Sequence, residues 1–256
     1  MILTWDVNPI LFSLGPIELR WYGLLFAGGF FLGLQITQRV FAIEKIEIKL
    51  LDPLLIYMML GVVIGARLGH CLFYEPIYYL SNPLEILMVW KGGLASHGAG
   101  LGIFASLWFF SKKHPQLSFF WLLDRLAINI ALAGGMIRLG NLMNSEIIGK
   151  PTGGGWGFVF SRIDQLPRHP SQLYESLFYL TLGGLLWLLY KRGGREEGLL
   201  SGIFLTLTFS FRFLVEFSKE NQTLAEQDLA FNIGQILSLP LIGVGLLLLI
   251  LSKRSK

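Results

Sequence analysis

Apolar residues fall along this chain in long runs separated by short polar connections. Seven runs approach the ~20 residues that a helix needs to cross a bilayer: Trp21–Gln38, Pro53–Phe73, Gly93–Phe110, Trp121–Ile137, Ser171–Tyr190, Leu199–Phe217 and Ile233–Leu251. The pattern predicts an all-α, polytopic integral membrane protein of about seven spans, forming a single domain over residues 1–256. The longest connection, Leu139 to Pro170, carries Gly, Pro and Asn at turn-forming density and predicts a structured outer loop between spans four and five. The stretch Glu75–Lys91, with two prolines and a short apolar run, fits a re-entrant or interfacial segment.

Composition agrees with that pattern. Of the 256 residues, 53% are hydrophobic and 15% charged, with a mean hydropathy of +0.58, whereas a soluble domain sits near 45–50% and ~25%. Disorder and a disulfide scaffold are excluded on these grounds. The net charge of +4 reads as basic membrane-flanking loops rather than a polyanion-binding face, so no nucleic-acid partner is expected. The single cysteine, Cys71, lies in an apolar run and reads as core filler. The N-terminus lacks the basic region and small-residue cleavage site of a signal peptide and is expected to be retained.

Basic residues also orient the spans. Eleven lie in one set of connections (Arg39, Lys45, Lys49, Lys112, Lys113, Lys191, Arg192, Arg195, Lys253, Arg254, Lys256) and six in the other (Arg20, Lys91, Lys150, Arg162, Arg168, Lys219). The richer set is expected to be cytoplasmic, which puts the N-terminus outside and the C-terminus inside. Four arginines remain within or at the ends of apolar runs. Arg125, beside Asp124, can snorkel to the cytoplasmic surface. Arg67, Arg138 and Arg212 lie in the outer parts of their spans, where a charge facing lipid costs ~2.5–3.5 kcal/mol on the insertion scale. Three at similar depth imply a shared polar cavity.

Other polar residues are expected at that depth: Tyr22 opening span one, His97 opening span three, Asn141 ending span four, "RHPSQLYE" opening span five, Glu216 ending span six, and Asn232 and Gln235 before span seven. Each has a plainer reading. Arg212 and Glu216, four apart, can be a self-neutralising pair; His97 can be a hydrogen-bonded packing residue; Tyr22 can belong to the interfacial aromatic belt. Together, guanidiniums and glycine-rich turns near the membrane surface suit an anionic phosphate head group, and a neutral imidazole suits proton acceptance. No metal set is apparent, since His70, His97, His114 and His169 fall at different depths. No serine nucleophile elbow is present. Gly153–Gly155 with Gly157 lacks the strand and Lys-Ser/Thr of a phosphate loop. The residues point to an enzyme acting on a phospholipid head group at the outer leaflet, with a nucleophile supplied by a substrate.

The run "RLGNLMNSEIIGK" from Arg138 to Lys150 is similar to the signature of bacterial prolipoprotein diacylglyceryl transferases, GRxGNFxNxExxGxxT. The likeness extends through "RWYGLLF" at Arg20, "GARLGHCLFY" at Gly65, "WKGGLASHGAGLGI" at Trp90, "RHPSQLYE" at Arg168, "FRFLVEF" at Phe211 and "GQILSLP" at Gly234, in family order. The resemblance implies a seven-span inner-membrane enzyme that moves the diacylglyceryl group of phosphatidylglycerol onto the lipobox cysteine of a prolipoprotein signal peptide, releasing glycerol phosphate, without a metal or other cofactor. By motif position Arg138 and Arg212 resemble a catalytic phosphate clamp, and His97 the family histidine that activates the thiol. Tyr22, Arg67, Asn141, Asn144, Glu146, Gly149, Arg168, Glu175, Glu216 and Gln235 resemble residues that bind substrate or shape the pocket, Glu216 orienting Arg212. The chain departs from the family pattern at Ile137 and Ser145, where glycine is common, at Thr208, where tyrosine is frequent, at Lys150, where arginine is frequent, and in "SKEN" after "VEF". A protein of another class, binding or transporting phospholipid on the same scaffold without transfer chemistry, is the alternative. Transporters favour midplane sites between repeats, whereas these polar residues lie outward and no repeat is visible.

Overall fold

The computed structural model describes residues 1–220 and 231–254; Lys256 of the basic C-terminal tail and the Asn of "SKEN" lie outside the described residues. Among the described residues, eight α-helices and five short strands run in the order β1 (Ile2–Trp5), β2 (Ile10–Leu14), β3 (Ile17–Arg20), α1 (Trp21–Ile43), α2 (Leu51–Phe73), α3 (Pro76–Ser81), α4 (Ser96–Lys113), α5 (Phe119–Asn144), β4 (Gly157–Phe160), β5 (Pro167–Arg168), α6 (Ser171–Lys191), α7 (Leu199–Val215) and α8 (Ile233–Arg254). Among the described residues, six helical stretches are long and apolar enough to cross a membrane: Trp21–Ile43, Ile48–Phe73, Phe119–Asn144, Ser171–Lys191, Leu199–Ser218 and Ile233–Ser252. The pattern predicts seven. The remaining run forms α4, but its 18 residues end in Ser96 and His97 on one side and Lys112 and Lys113 on the other, which lowers its apolar content below that of the six.

The chain forms two compact units, one of residues Gln38–Leu123 and one of Met1–Thr37 with Asp124–Lys256. In the first, α2 packs on α4 through small residues: Gly61, Gly65 and Gly69 face Gly98, Gly102 and Ser106. A Cβ placed on Gly65 would stand 2.4 Å from the Gly98 carbonyl oxygen, so the two backbones touch directly, as helices in lipid favour. Cys71 is fully buried there as a free thiol. Between α2 and α4 the chain runs through α3 and two 3₁₀ turns, Pro83–Leu87 and Val89–Lys91. Arg67 holds this connection. Its guanidinium donates from Nε to Ile86 O (2.9 Å), from Nη1 to Gly92 O (2.6 Å) and Gly93 O (3.3 Å), and from Nη2 to Glu85 O (2.5 Å), and lies 5.0 Å from the Tyr79 ring centre.

The second unit carries the strands. β1 pairs in parallel with β4, Ile2 opposite Gly157 through Trp5 opposite Phe160, and β5 adds antiparallel to β4. The long loop between α5 and α6 is thus built on the first residues of the chain, and Trp5 donates from Nε1 to Leu142 O at the end of α5 (3.0 Å). That helix runs to Asn144, into the stretch that the sequence pattern gives to the loop. The residue capping the start of α7 is Gly198, which has no side chain to satisfy the helix's free N–H groups. Asp124 of α5 takes over, accepting the N–H of Gly198 (2.8 Å) and both the N–H (2.8 Å) and hydroxyl (2.6 Å) of Ser201. α8 opens on a reciprocal cap: Asn232 Oδ1 accepts the Gln235 N–H (2.8 Å) and Gln235 Oε1 accepts the Asn232 N–H (3.0 Å).

After α5 the backbone turns through two left-handed non-glycine residues, Ser145 (φ 56°) and Ile147 (φ 54°), an uncommon conformation and a costly one for a β-branched residue. The surroundings hold it in place. Ser145 Oγ accepts from Arg162 (3.0 Å), Glu146 O from Gln172 Nε2 (2.6 Å) and Ile147 O from Ser171 Oγ (2.9 Å). Ser145→Gly and Ser145→Ala both lose the hydroxyl and differ in tolerance of positive φ. The glycine variant is expected to be the more stable by about 1 kcal/mol, read as the higher melting temperature in detergent; an alanine variant of equal or greater stability would contradict the left-handed turn.

Candidate active site

The end of α5, the start of α6, the end of α7 and the start of α8 bring charged side chains together within the second unit. Arg138, near the end of α5, places Nε 3.2 Å from Oε2 of Glu175, a buried residue in the first turns of α6. Arg212, near the end of α7, places Nε 3.8 Å from Oε1 of Glu216, one turn on. Lys219, just beyond, is buried, and its ammonium donates to Glu175 Oε1 (2.9 Å) and Glu216 Oε1 (3.2 Å). Glu216 Oε2 accepts from Asn232 Nδ2 (3.2 Å), so the residue that caps α8 also fixes this carboxylate. The result is an alternating row: Arg138, Glu175, Lys219, Glu216, Arg212. Tyr179, one turn along α6 from Glu175, lies within electrostatic range of Glu175, Arg138, Arg212 and Glu216.

Both arginines meet their carboxylates through Nε. Beyond that edge, Arg138 Nη1 makes a long contact to Asn141 Oδ1 (3.5 Å), and among the described residues the Nη groups of Arg212 have no hydrogen-bond partner. Guanidiniums that face a carboxylate only through Nε keep their Nη donors for a planar or tetrahedral oxyanion. Beside Arg138, Glu146 is held by two asparagine amides, Asn141 Nδ2 to Oε2 (3.0 Å) and Asn144 Nδ2 to Oε1 (3.1 Å). The spacing of the signature is legible in this: the two asparagines end a helix, and the strained turn folds Glu146 back onto them.

Two glycines of this region are set by close approach. A Cβ on Gly140 would stand 2.8 Å from the Tyr22 ring, and one on Gly149 would stand 2.4 Å from His169 O and 2.8 Å from Ser218 O. Gly149 lies between two neighbouring segments, its N–H donating to His169 O (3.1 Å) and its bridge partner being Lys219. Arg168, also buried, donates to Gly149 O (3.1 Å), to Glu220 (2.5 Å) and to both carboxylate oxygens of Asp164. That guanidinium holds the Asp164 carboxyl below the usual carboxylate range.

Of the residues expected at the site, Tyr22, Arg138, Asn141, Asn144, Glu146, Gly149, Arg168, Glu175, Arg212, Glu216 and Gln235 belong to this unit. Within it, Arg168 is spent on loop contacts, and Gln235 on the α8 cap and on Phe213 O (3.2 Å). Arg67 and His97 belong to the other unit. There the exposed His97 ring meets Phe73 edge-on (centroids 5.3 Å) and Tyr74 (5.9 Å), while His70 stacks on Tyr74 (5.4 Å). Lys219 is a structural member of the site that the sequence pattern leaves among loop charges, while Asn232 and Gln172, expected at that depth by position or within "RHPSQLYE", take up structural contacts. The adjacent acidic Glu216 and the matching Glu175 carry the signal for a buried lysine, but only the fold brings them together. Among the described residues, no three His, Cys, Asp or Glu side chains stand where they could hold a metal ion.

Comparison with known proteins matches residues 9–251 to the family model described as prolipoprotein diacylglyceryl transferase. The chain is 50% identical to the phosphatidylglycerol–prolipoprotein diacylglyceryl transferase of Tolumonas auensis over 100% of its own length and 99% of that protein. It is 51% identical to the protein of that name from Chloroherpeton thalassium over 96% of its length and 93% of the relative, and 43% identical to that of Porphyromonas gingivalis over 97% and 94%. With the match running through every block of the paired arginine site, the chain belongs to the prolipoprotein diacylglyceryl transferase family.

Proposed function

We propose that this chain, as one transferase domain over residues 1–256, transfers the diacylglyceryl group of phosphatidylglycerol to the lipobox cysteine thiol of a prolipoprotein, the first step of bacterial lipoprotein maturation. The observation that carries the reading is the pair of guanidiniums, Arg138 and Arg212, each with Nε in ion-pair range of a carboxylate (3.2 and 3.8 Å) and with donors to spare. In the reaction the thiol sulfur bonds to the terminal glyceryl carbon, the bond from that carbon to the phosphate ester oxygen breaks, and glycerol phosphate leaves. Negative charge grows on the departing phosphate, where preorganised donors give the largest stabilisation. His97, which matches the family histidine, is the group assigned to take the thiol proton. Tyr22, Asn141, Asn144, Glu146 and Gly149 shape the pocket around the head group, and Glu175 and Glu216 orient the two arginines.

The same reading places the protein in the bacterial inner membrane as a multi-pass protein. α4 is its seventh span, the N-terminus faces out, and the site opens toward the periplasmic side. The distribution of basic residues supports this orientation.

Membranes containing the protein, given phosphatidylglycerol and a lipobox peptide, are expected to release glycerol phosphate as the peptide gains a diacylglyceryl group. Tight lipid binding without turnover would favour the non-enzymatic alternative. Arg138→Ala and Arg212→Ala are each expected to lower the transfer rate by about 10²-fold or more with membrane insertion unchanged, and wild-type rates in both would remove the clamp. His97→Gln is expected to cut the rate at neutral pH by about 10²-fold; full activity there would reject the general-base role.

A further inference from the structure

Lys219 counts, along the sequence, as one of the outer-loop charges. In the structure its ammonium is buried and bonded to two carboxylates, each of which faces one of the two arginines. We propose that Lys219 is a positioning residue for phosphatidylglycerol: it holds Glu175 and Glu216 so that neither carboxylate closes over the donors that Arg138 and Arg212 offer to the phosphate. The proposal rests on the transferase reading of the site.

Geometry and charge support it independently. Glu175 divides its two oxygens, Oε1 to Lys219 and Oε2 toward Arg138, while Glu216 turns Oε1 to Lys219 and Arg212 and Oε2 to Asn232. With Lys219 removed, Oε1 of the buried Glu175 loses its ammonium partner and Oε1 of Glu216 keeps only its 3.8 Å approach to Arg212, so the nearest remaining cation to each carboxylate is its guanidinium. A carboxylate that swings from one Nε contact to a two-pronged pairing takes up the Nη groups, since that geometry is the stronger one. The row carries three positive and two negative groups with Lys219 and balances without it, so an anionic phosphodiester loses its electrostatic attraction as well.

The backbone of Lys219 is itself fixed by the signature segment. Lys150 N–H donates to Ser218 O (2.8 Å), Lys219 N–H donates to Glu216 O (3.2 Å), and Gly149 and Lys219 pair as a bridge. Gly149 has no room for a Cβ against Ser218 O. The glycine of the signature therefore lets the lysine reach both carboxylates, which ties the loop after α5 to the charge row.

The test is steady-state transfer by the full-length protein in detergent–phospholipid micelles, with KM measured separately for phosphatidylglycerol and for a lipobox peptide in wild type, Lys219→Met and Lys219→Arg. Lys219→Met is expected to raise KM for phosphatidylglycerol about tenfold or more and leave KM for the peptide unchanged, with Lys219→Arg close to wild type. A partly unfolded population lowers the maximal rate and moves neither KM, so the split separates positioning from mere support. If Lys219→Met does not accumulate in the membrane, Lys219→Gln, which removes the charge and keeps a donor, is measured the same way. An unchanged KM for phosphatidylglycerol in whichever neutral variant is measured overturns the proposal. An inactive wild type would instead remove the transferase reading on which it rests.

Discussion

A buried charge must be matched by opposite charge, and the buried pair of Glu175 and Lys219, at the centre of a row that runs out to the exposed Arg212, organises the larger unit. Arg138, Lys219 and Arg212 alternate with Glu175 and Glu216, and they come from four places: the end of α5, the start of α6, the end of α7 and the turn after it, which holds both Glu216 and Lys219. Removing one partner of a buried pair leaves an uncompensated charge that costs ~3–5 kcal/mol. The row therefore acts as a constraint on where three helix ends can sit. Asn232 extends it to α8, since one side chain both caps that helix and binds Glu216.

The neighbouring elements serve the same arrangement from a distance. Asp124 caps α7 at the end opposite Arg212, fixing the helix that carries one guanidinium. The left-handed turn at Ser145 and Ile147 stores strain that the hydrogen bonds from Arg162, Gln172 and Ser171 over-determine, and it folds Glu146 back beside Arg138. Strain held by surrounding structure is characteristic of preorganised sites. Here it keeps polar groups in position before any substrate arrives.

The spans were readable from the chain because apolar runs of that length have few other uses. α4 shows where such reading thins out: its ends carry the polar residues that make it chemically interesting and lower its apolar content. The pairing of β1 with β4 joins residues more than 150 apart in four-residue strands, and no local pattern announces that. Among the charges, spacing gave Arg212 and Glu216 on one helix face, and motif position gave Arg138 and Glu175. Arg67 and Arg168 looked similar in sequence, yet their donors are taken by backbone carbonyls in one case and by Asp164, Glu220 and Gly149 in the other. Lys219 went the opposite way, from a loop charge to the centre of the row. What decides between these fates is the supply of acceptors in three dimensions, which one-dimensional spacing does not contain.

The most direct test of the central claim is an experimental structure of the protein with phosphatidylglycerol bound. The phosphate is expected within hydrogen-bond reach of Nη groups of both Arg138 and Arg212, with their Nε atoms still facing Glu175 and Glu216 and Lys219 between the carboxylates. A phosphate that touches neither guanidinium, or that displaces the arginines from their carboxylates, would contradict it.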